Sequence, residues 1–84
     1  MHFEQGKYYH LYNRSNNNEL VFKSDENYSY FLSKFYSYLS PHVISIAYCL
    51  MPTHFHFIVK IQDENEVSIQ KAIGLLLSSY TKAI

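Results

Sequence analysis

The chain has 84 residues, with seven basic and seven acidic side chains, so its formal net charge is zero. Hydrophobic residues make up 48% and aromatic residues, all Tyr or Phe, 18%, which excludes a disordered chain. One domain spanning 1–84 is expected. No secretion signal and no apolar run of the roughly 20 residues that span a bilayer is present, so a cytoplasmic protein without a membrane partner is expected.

The first part of the chain predicts a strand and then a helix. Tyr-rich residues 7–14 favour a strand, because aromatic rings suit a half-buried pleated surface. Alternation puts Tyr9 and Leu11 on one face of that strand, and the other face carries Tyr8, His10, Tyr12 and Arg14. After the polar loop 15–18, Ser24 or Asp25 can cap a helix that stops at Ser40 before Pro41. Its apolar face has helical spacing and consists of Tyr28, Phe31, Leu32, Phe35 and Leu39.

The second part predicts a hairpin and another helix. Residues 43–51 are almost continuously apolar and predict a central strand, and Pro52 ends it. Cys49 in this strand is the only cysteine, which rules out an intrachain disulfide. It is expected to be a small buried residue. Residues 54–61 predict the returning strand, followed by an acidic loop over 63–66. Ser68 can cap a second helix with the apolar stripe Ile69, Ala72 or Ile73, Leu76, Tyr80, and Ala83 or Ile84.

The predicted order of elements is therefore β-α-β-β-α. This order indicates an α+β, ferredoxin-like fold with an antiparallel sheet that lacks its final strand.

Two histidines at the start of the second hairpin strand are the main candidates for chemistry. His54 and His56 are two residues apart and face the same side of a strand, while Phe55, Phe57 and Val59 face the other. Two imidazoles at this spacing can share one metal ion. A pair of histidines on a strand is more often only part of a solvated face, so the surrounding sequence decides between the two interpretations.

The residues around the pair resemble a known family. The stretch 48–59, Tyr-Cys-Leu-Met-Pro-Thr-His-Phe-His-Phe-Ile-Val, is similar to the YCLMP-x-H-x-H block of REP-associated tyrosine transposases. These and the related insertion-sequence transposases are HUH single-strand DNA endonucleases. The first strand, 9–14, is similar to their YH-x-YNR start, and Phe22 and residues 79–84 also match.

The resemblance implies DNA transposition by metal-dependent cleavage and rejoining of single-stranded DNA. His54 and His56 would hold Mg²⁺ or Mn²⁺ against the scissile phosphate, and a tyrosine would attack to give a 5′-phosphotyrosine. In the family this tyrosine lies on a later helix, so the nucleophile and its helix are expected beyond Ile84. Tyr80 is the one tyrosine after His56, but its place on the apolar stripe favours core packing over catalysis.

The first strand is expected to lie beside the histidine pair and to contact single-stranded or hairpin DNA. Tyrosine rings can stack on bases and cations can bind phosphates, although an ordinary sheet surface would have the same pattern. The candidate DNA-binding residues are Tyr8, His10, Tyr12, Asn13, Arg14 and Lys60. An unpaired sheet edge also predicts a homodimer or a domain-swapped assembly.

Two other functions compete with a transposase module. A non-enzymatic remnant would bind single-stranded nucleic acid, with or without the metal, and would not cut it. A zinc hydrolase would need a carboxylate near the pair, but Asp63, Glu64 and Glu66 are predicted in a loop beyond the strand.

Overall fold

The computed structural model describes residues 3–62 and 66–83. It has the predicted order of elements and is an α+β protein with one three-stranded antiparallel sheet and two helices. The elements are β1 (Tyr8–Arg14), a 3-10 turn (Asn16–Asn18), α1 (Asp25–Leu39), β2 (Val43–Met51), β3 (His54–Ile61) and α2 (Glu66–Ala83). Within the described ranges, no helix is long and apolar enough to cross a membrane.

The strands lie in the order β1-β3-β2, so β3 is central and β2 is at an edge. The prediction that residues 43–51 form a central strand is therefore wrong. Only Val43 of β2 is fully buried, because the helices do not cover the rest of this edge strand. Its apolar side chains gave no alternation from which the uncovered side could be recognised. The register of β2 against β3 also shifts between Ser45 and Ala47, which marks an irregularity in the strand.

Helix α1 begins and ends as the sequence predicts. The Ser24 hydroxyl accepts a hydrogen bond from the Asn27 backbone N–H at 3.3 Å, and the helix ends at Leu39, one residue before Ser40. Helix α2 begins at Glu66, so the predicted cap at Ser68 is wrong, and Glu66 is helical rather than part of the acidic loop. The helix starts nearly one turn before Ile69, the first residue of its apolar stripe. Residues 63–65 and Ile84 lie outside the described residues.

The core lies between the two helices and the inner face of the sheet. Phe57 on β3 is 1% exposed and stacks on Phe35 of α1, with ring centroids 3.8 Å apart. Phe31, completely buried, contacts Phe55, Phe57 and Tyr80. Tyr80 is 1% exposed, which confirms its predicted place in the core. The inner face of β3 is thus filled, and its other face stays open for a site.

A surface segment holds the turn that leads into β3. The Ser15 backbone N–H donates to the Thr53 carbonyl at 2.9 Å, and the Val21 N–H donates to the Pro52 carbonyl at 2.8 Å. From the opposite side, the Tyr80 hydroxyl donates to the Val21 carbonyl at 2.8 Å. The turn immediately before His54 is therefore tied both to the chain after β1 and, through Val21, to α2.

Candidate metal and nucleic-acid site

His54 and His56 lie on the open face of the sheet, as their spacing predicts. Both are half-buried, and their ring centroids are 5.1 Å apart with perpendicular planes. Phe55, Phe57 and Val59 alternate with them and are buried on the inner face. Metal–nitrogen bonds of about 2.1 Å allow two imidazoles at this separation to share one ion.

Strand β1 places two more rings against the pair. Tyr12 is the Cα partner of His56 and stacks on it at 6.0 Å between centroids. His10 lies two residues along the strand, with Nε2 2.8 Å from Nδ1 of His56 and the rings stacked at 5.0 Å. The expectation that this face of β1 lies beside the histidines is confirmed. The face carrying His10, Tyr12, Arg14, His54 and His56 is called the histidine face below.

The surroundings of His54 favour the neutral form of its imidazole. Arg14 is its Cα partner on β1, and the Thr53 hydroxyl lies 3.2 Å from its Nδ1. Partial burial lowers the pKa of His54 below its ordinary value of 6.5, and electrostatic interactions with Arg14 and then His56 lower it further. A neutral imidazole retains the lone pair that a metal needs. Sequence reasoning missed Thr53, whose only signal is its place directly before the first histidine.

The three strands carry cations but no carboxylate. Arg14 and Lys60 are their basic residues, and no Asp or Glu occurs in β1, β2 or β3. Lys60 lies farther along the same side of the sheet, with Nζ 5.8 Å from the centre of the Tyr8 ring. The acidic residues that make the whole chain neutral all lie outside the strands. The histidine face is thus locally suited to an anion despite zero net charge.

The structure differs from the sequence-based expectations for Asn13 and Cys49. Asn13 is the Cα partner of buried Phe55, so it alternates away from the histidines, and its side-chain oxygen accepts from the Arg14 backbone N–H at 2.9 Å. Cys49 is exposed, and the prediction that it is buried is wrong. Cys49 lies on β2 as the Cα partner of His56, on the side of the sheet that faces away from the helices. Sequence alternation did not reveal this, because β2 has no polar residues at alternating positions.

Two candidate metal ligands, His54 and His56, lie together on this face. No group of three or more His, Cys, Asp or Glu side chains that could hold an ion occurs in 3–62 or 66–83. Within those ranges, the hydrogen bonds of His54 and His56 involve only their Nδ1 atoms. Both Nε2 atoms are therefore free of hydrogen bonds to the described part of the protein and could bind a divalent ion, whose other ligands would be water or phosphate oxygens.

Comparison of the chain with protein-family models, curated proteins and solved structures gives no match. A function can accordingly be inferred only from the chemistry of the histidine face.

Tyr80 lies away from that chemistry. Its hydroxyl is occupied by the Val21 carbonyl, and its ring packs edge-on against Phe31 in the core. Burial, and then the nearby Tyr28, raise the pKa of Tyr80 to about 12. A buried hydroxyl that is harder to ionise than free phenol is a poor nucleophile. Among the described tyrosines, Tyr12 is the one whose ring contacts the pair.

Proposed function

We propose that this chain is the metal-binding and DNA-binding part of a HUH-type transposase that cleaves and rejoins single-stranded DNA. The observation that carries the proposal is the joint placement of His54, His56, Tyr12 and Arg14 on one open, carboxylate-free sheet face. The strand order β1-β3-β2 supports a ferredoxin-like assignment, because it is the order of that sheet without the strand beside β1.

Single-stranded DNA would run across the histidine face in this proposal. Tyr12 is 67% exposed and Tyr8 60% exposed, so both rings can stack on bases. Arg14 and Lys60 would bind phosphates, and His10 lies between the two tyrosines. A phosphate held near Arg14 would also lie near His54, because these residues are cross-strand partners.

His54 and His56 would hold the divalent ion, Mg²⁺ or Mn²⁺, through their Nε2 atoms. When bound, the ion supplies charge stabilisation for the phosphoryl group during attack by a tyrosine. The residues of this chain orient the ion and the DNA, and Tyr80 stays in the core. No described tyrosine is assigned as the nucleophile that would form the 5′-phosphotyrosine.

Mn²⁺ binding tests the metal part of the proposal. Electron paramagnetic resonance of free Mn²⁺ should show saturable binding to the chain, with loss of binding in His54→Ala and in His56→Ala. The matched control is His42→Ala, because His42 lies at the opposite end of β2 from the pair. Equal Mn²⁺ binding by all four proteins, or none by the wild type, would contradict the metal site.

A non-enzymatic alternative is favoured because the described residues contain no group of three side chains that could hold a metal ion. In its metal-free form, this alternative predicts that the wild type binds a labelled single-stranded oligonucleotide without Mn²⁺ and that the ion does not change the affinity. The transposase proposal predicts tighter binding with Mn²⁺ in the wild type and no such gain in His56→Ala. Fluorescence anisotropy with and without the ion separates them.

A further inference from the structure

We propose that His10 and Thr53 are positioning residues, which hold the Nδ1 atoms of His56 and His54 and so leave both Nε2 lone pairs for the metal ion. The proposal rests on the metal site proposed above for its purpose, but the hydrogen-bonding pattern itself can be measured without any metal. The roles of His10 and Thr53 are inferred from their hydrogen bonds to the two histidines.

The two histidines are restrained in the same way. His56 Nδ1 lies 2.8 Å from His10 Nε2, and His54 Nδ1 lies 3.2 Å from the Thr53 hydroxyl. Metal-ligating histidines characteristically use one ring nitrogen for the ion and donate the other N–H to a neighbouring acceptor. Here His10 and Thr53 both lie at the Nδ1 atom of a histidine, although His10 belongs to β1 and Thr53 to the turn before β3.

The direction of the His10–His56 hydrogen bond decides whether His56 can bind an ion. A neutral imidazole has one N–H and one lone pair. If His56 donates through Nδ1, its Nε2 keeps the lone pair and His10 accepts at Nε2. If His10 donates instead, the His56 proton must lie on Nε2, and that atom cannot bind metal. The proposed arrangement therefore requires the Nδ1-protonated form of His56.

Ring packing restrains the orientation of the His56 imidazole. His10 and Tyr12 lie 4.8 Å apart between ring centroids, and both stack on His56 with interplanar angles of 19° and 21°. Rotation of the His56 ring would break these contacts and the hydrogen bond together. His10 and Tyr12 thus contact the same ring, but only His10 also accepts a hydrogen bond from it in the proposed arrangement.

His10 is better assigned as an acceptor than as a third metal ligand. A separation of 2.8 Å between its Nε2 and the His56 Nδ1 is a hydrogen-bond distance. An ion between these atoms, with bonds of about 2.1 Å to each, would hold them farther apart. The described residues also contain no group of three side chains placed to hold one ion.

Imidazole ¹⁵N chemical shifts of the metal-free protein test the proton position directly. The expected result is a neutral His56 protonated on Nδ1, with that preference lost in His10→Phe. A His56 protonated on Nε2 in the wild type would overturn the proposal, as would a His10→Phe protein with an unchanged tautomer. This measurement gives its answer even if the chain binds no metal.

Mn²⁺ affinity tests the consequence for the ion. His10→Phe and Thr53→Val should each weaken Mn²⁺ binding by roughly tenfold or more. His10→Gln and Thr53→Ser retain an acceptor oxygen and should recover most of the affinity. Tyr36→Phe, at an exposed position on α1, serves as the control. Equal loss in His10→Gln and His10→Phe would make His10 a ligand and overturn the proposal, and unchanged affinity in His10→Phe and Thr53→Val would also overturn it. Absence of Mn²⁺ binding by the wild type would instead contradict the proposed function and leave the tautomer result standing.

Discussion

The hydroxyl of Tyr80 is a structural group. It is buried and donates to the Val21 carbonyl, and Val21 in turn donates to Pro52 in the turn before His54. Tyr80→Phe removes the donor and leaves the carbonyl unpaired, so we expect a loss of about 1–2 kcal/mol in the free energy of unfolding at neutral pH. Urea denaturation followed by circular dichroism measures this loss. A Tyr80→Phe protein as stable as the wild type would contradict the role given to the hydroxyl.

The same residue predicts a difference at alkaline pH. The pKa of Tyr80 is about 12 in the fold, above the ordinary value of 10. Its contribution to stability is therefore complete below pH 10 and is lost as the pH rises from 10 toward 12, by up to roughly 2 kcal/mol. Across this range the stability of the wild type should fall faster than that of Tyr80→Phe. Parallel curves of unfolding free energy against pH for the two proteins would contradict the raised pKa.

Arg14 and Tyr12 make separable contributions in the proposed DNA complex. Arg14→Ala should weaken binding of a single-stranded oligonucleotide and reduce the slope of log affinity against log salt by about 0.7, because one phosphate contact is lost. Tyr12→Ala should weaken binding roughly tenfold through lost stacking and leave the salt slope unchanged. Fluorescence anisotropy at several salt concentrations measures both.

Two exposed residues on the helices are matched controls for these variants. Tyr36 on α1 is 73% exposed, and Lys71 lies on the exposed side of α2, so neither belongs to the histidine face. Tyr36→Ala and Lys71→Ala should leave oligonucleotide binding unchanged. If they weaken it as much as the site variants do, the histidine face is not the DNA-binding surface.

Among the strands, β3 contributes more buried side chains to the core than β2 does. Phe57 on β3 is 1% exposed and stacks on Phe35, whereas Tyr48, its Cα partner on β2, is 56% exposed. Phe57→Ala should cost about 3–5 kcal/mol of unfolding free energy, enough to unfold much of a small domain. Tyr48→Ala should cost less than about 1 kcal/mol. Similar losses in the two variants, measured by thermal denaturation, would place β2 in the core after all.

The elements show which parts of the structure the sequence could predict. Helix α1 has a cap, helical spacing and a stop before Pro41, so its bounds followed from local chemistry. Strand β3 alternates strictly, and its faces were therefore predictable from His54 and Phe55 onward. The sequence wrongly predicts that β2 is central, because an apolar run alone does not distinguish a central strand from an uncovered edge strand.

The site was predictable to the extent that it depends on alternation within one strand. The shared face of His54 and His56 followed from their spacing, and the nearby face of β1 followed from antiparallel pairing. The contact between His10 and His56 depends on the cross-strand register, which sequence pattern does not give. Thr53 and Asn13 depend on local side-chain hydrogen bonds, which equally have no periodic signal.

At the scale of the whole molecule, the described sheet has two open edges, and they differ. All seven residues of β1 pair in regular register with β3, while β2 has an irregularity between Ser45 and Ala47. Bulges protect an edge from pairing, so β1 is the better template for another strand. A groove of about 530 Å³, lined largely by apolar side chains including Phe35, Phe55 and Leu76, lies beneath β1.

We expect self-association through the β1 edge at high protein concentration. Size-exclusion chromatography with light scattering should show a dimer or swapped assembly, and Asn13→Lys should shift it toward the monomer by placing a charge beside the groove. Ile46→Lys is the matched variant on the irregular β2 edge, where Ile46 is 53% exposed, and it should leave the assembly unchanged. A wild type that elutes as a monomer at every concentration would contradict the prediction.

The exposed thiol of Cys49 gives this small protein a natural attachment point for a probe. It is the only cysteine in the chain, so a thiol-directed dye or spin label attaches at one position without prior mutagenesis. That position is directly across from His56 on the neighbouring strand. A label there would sense a paramagnetic ion or a nucleic acid bound at the histidine face, and its attachment requires no substitution in the chain.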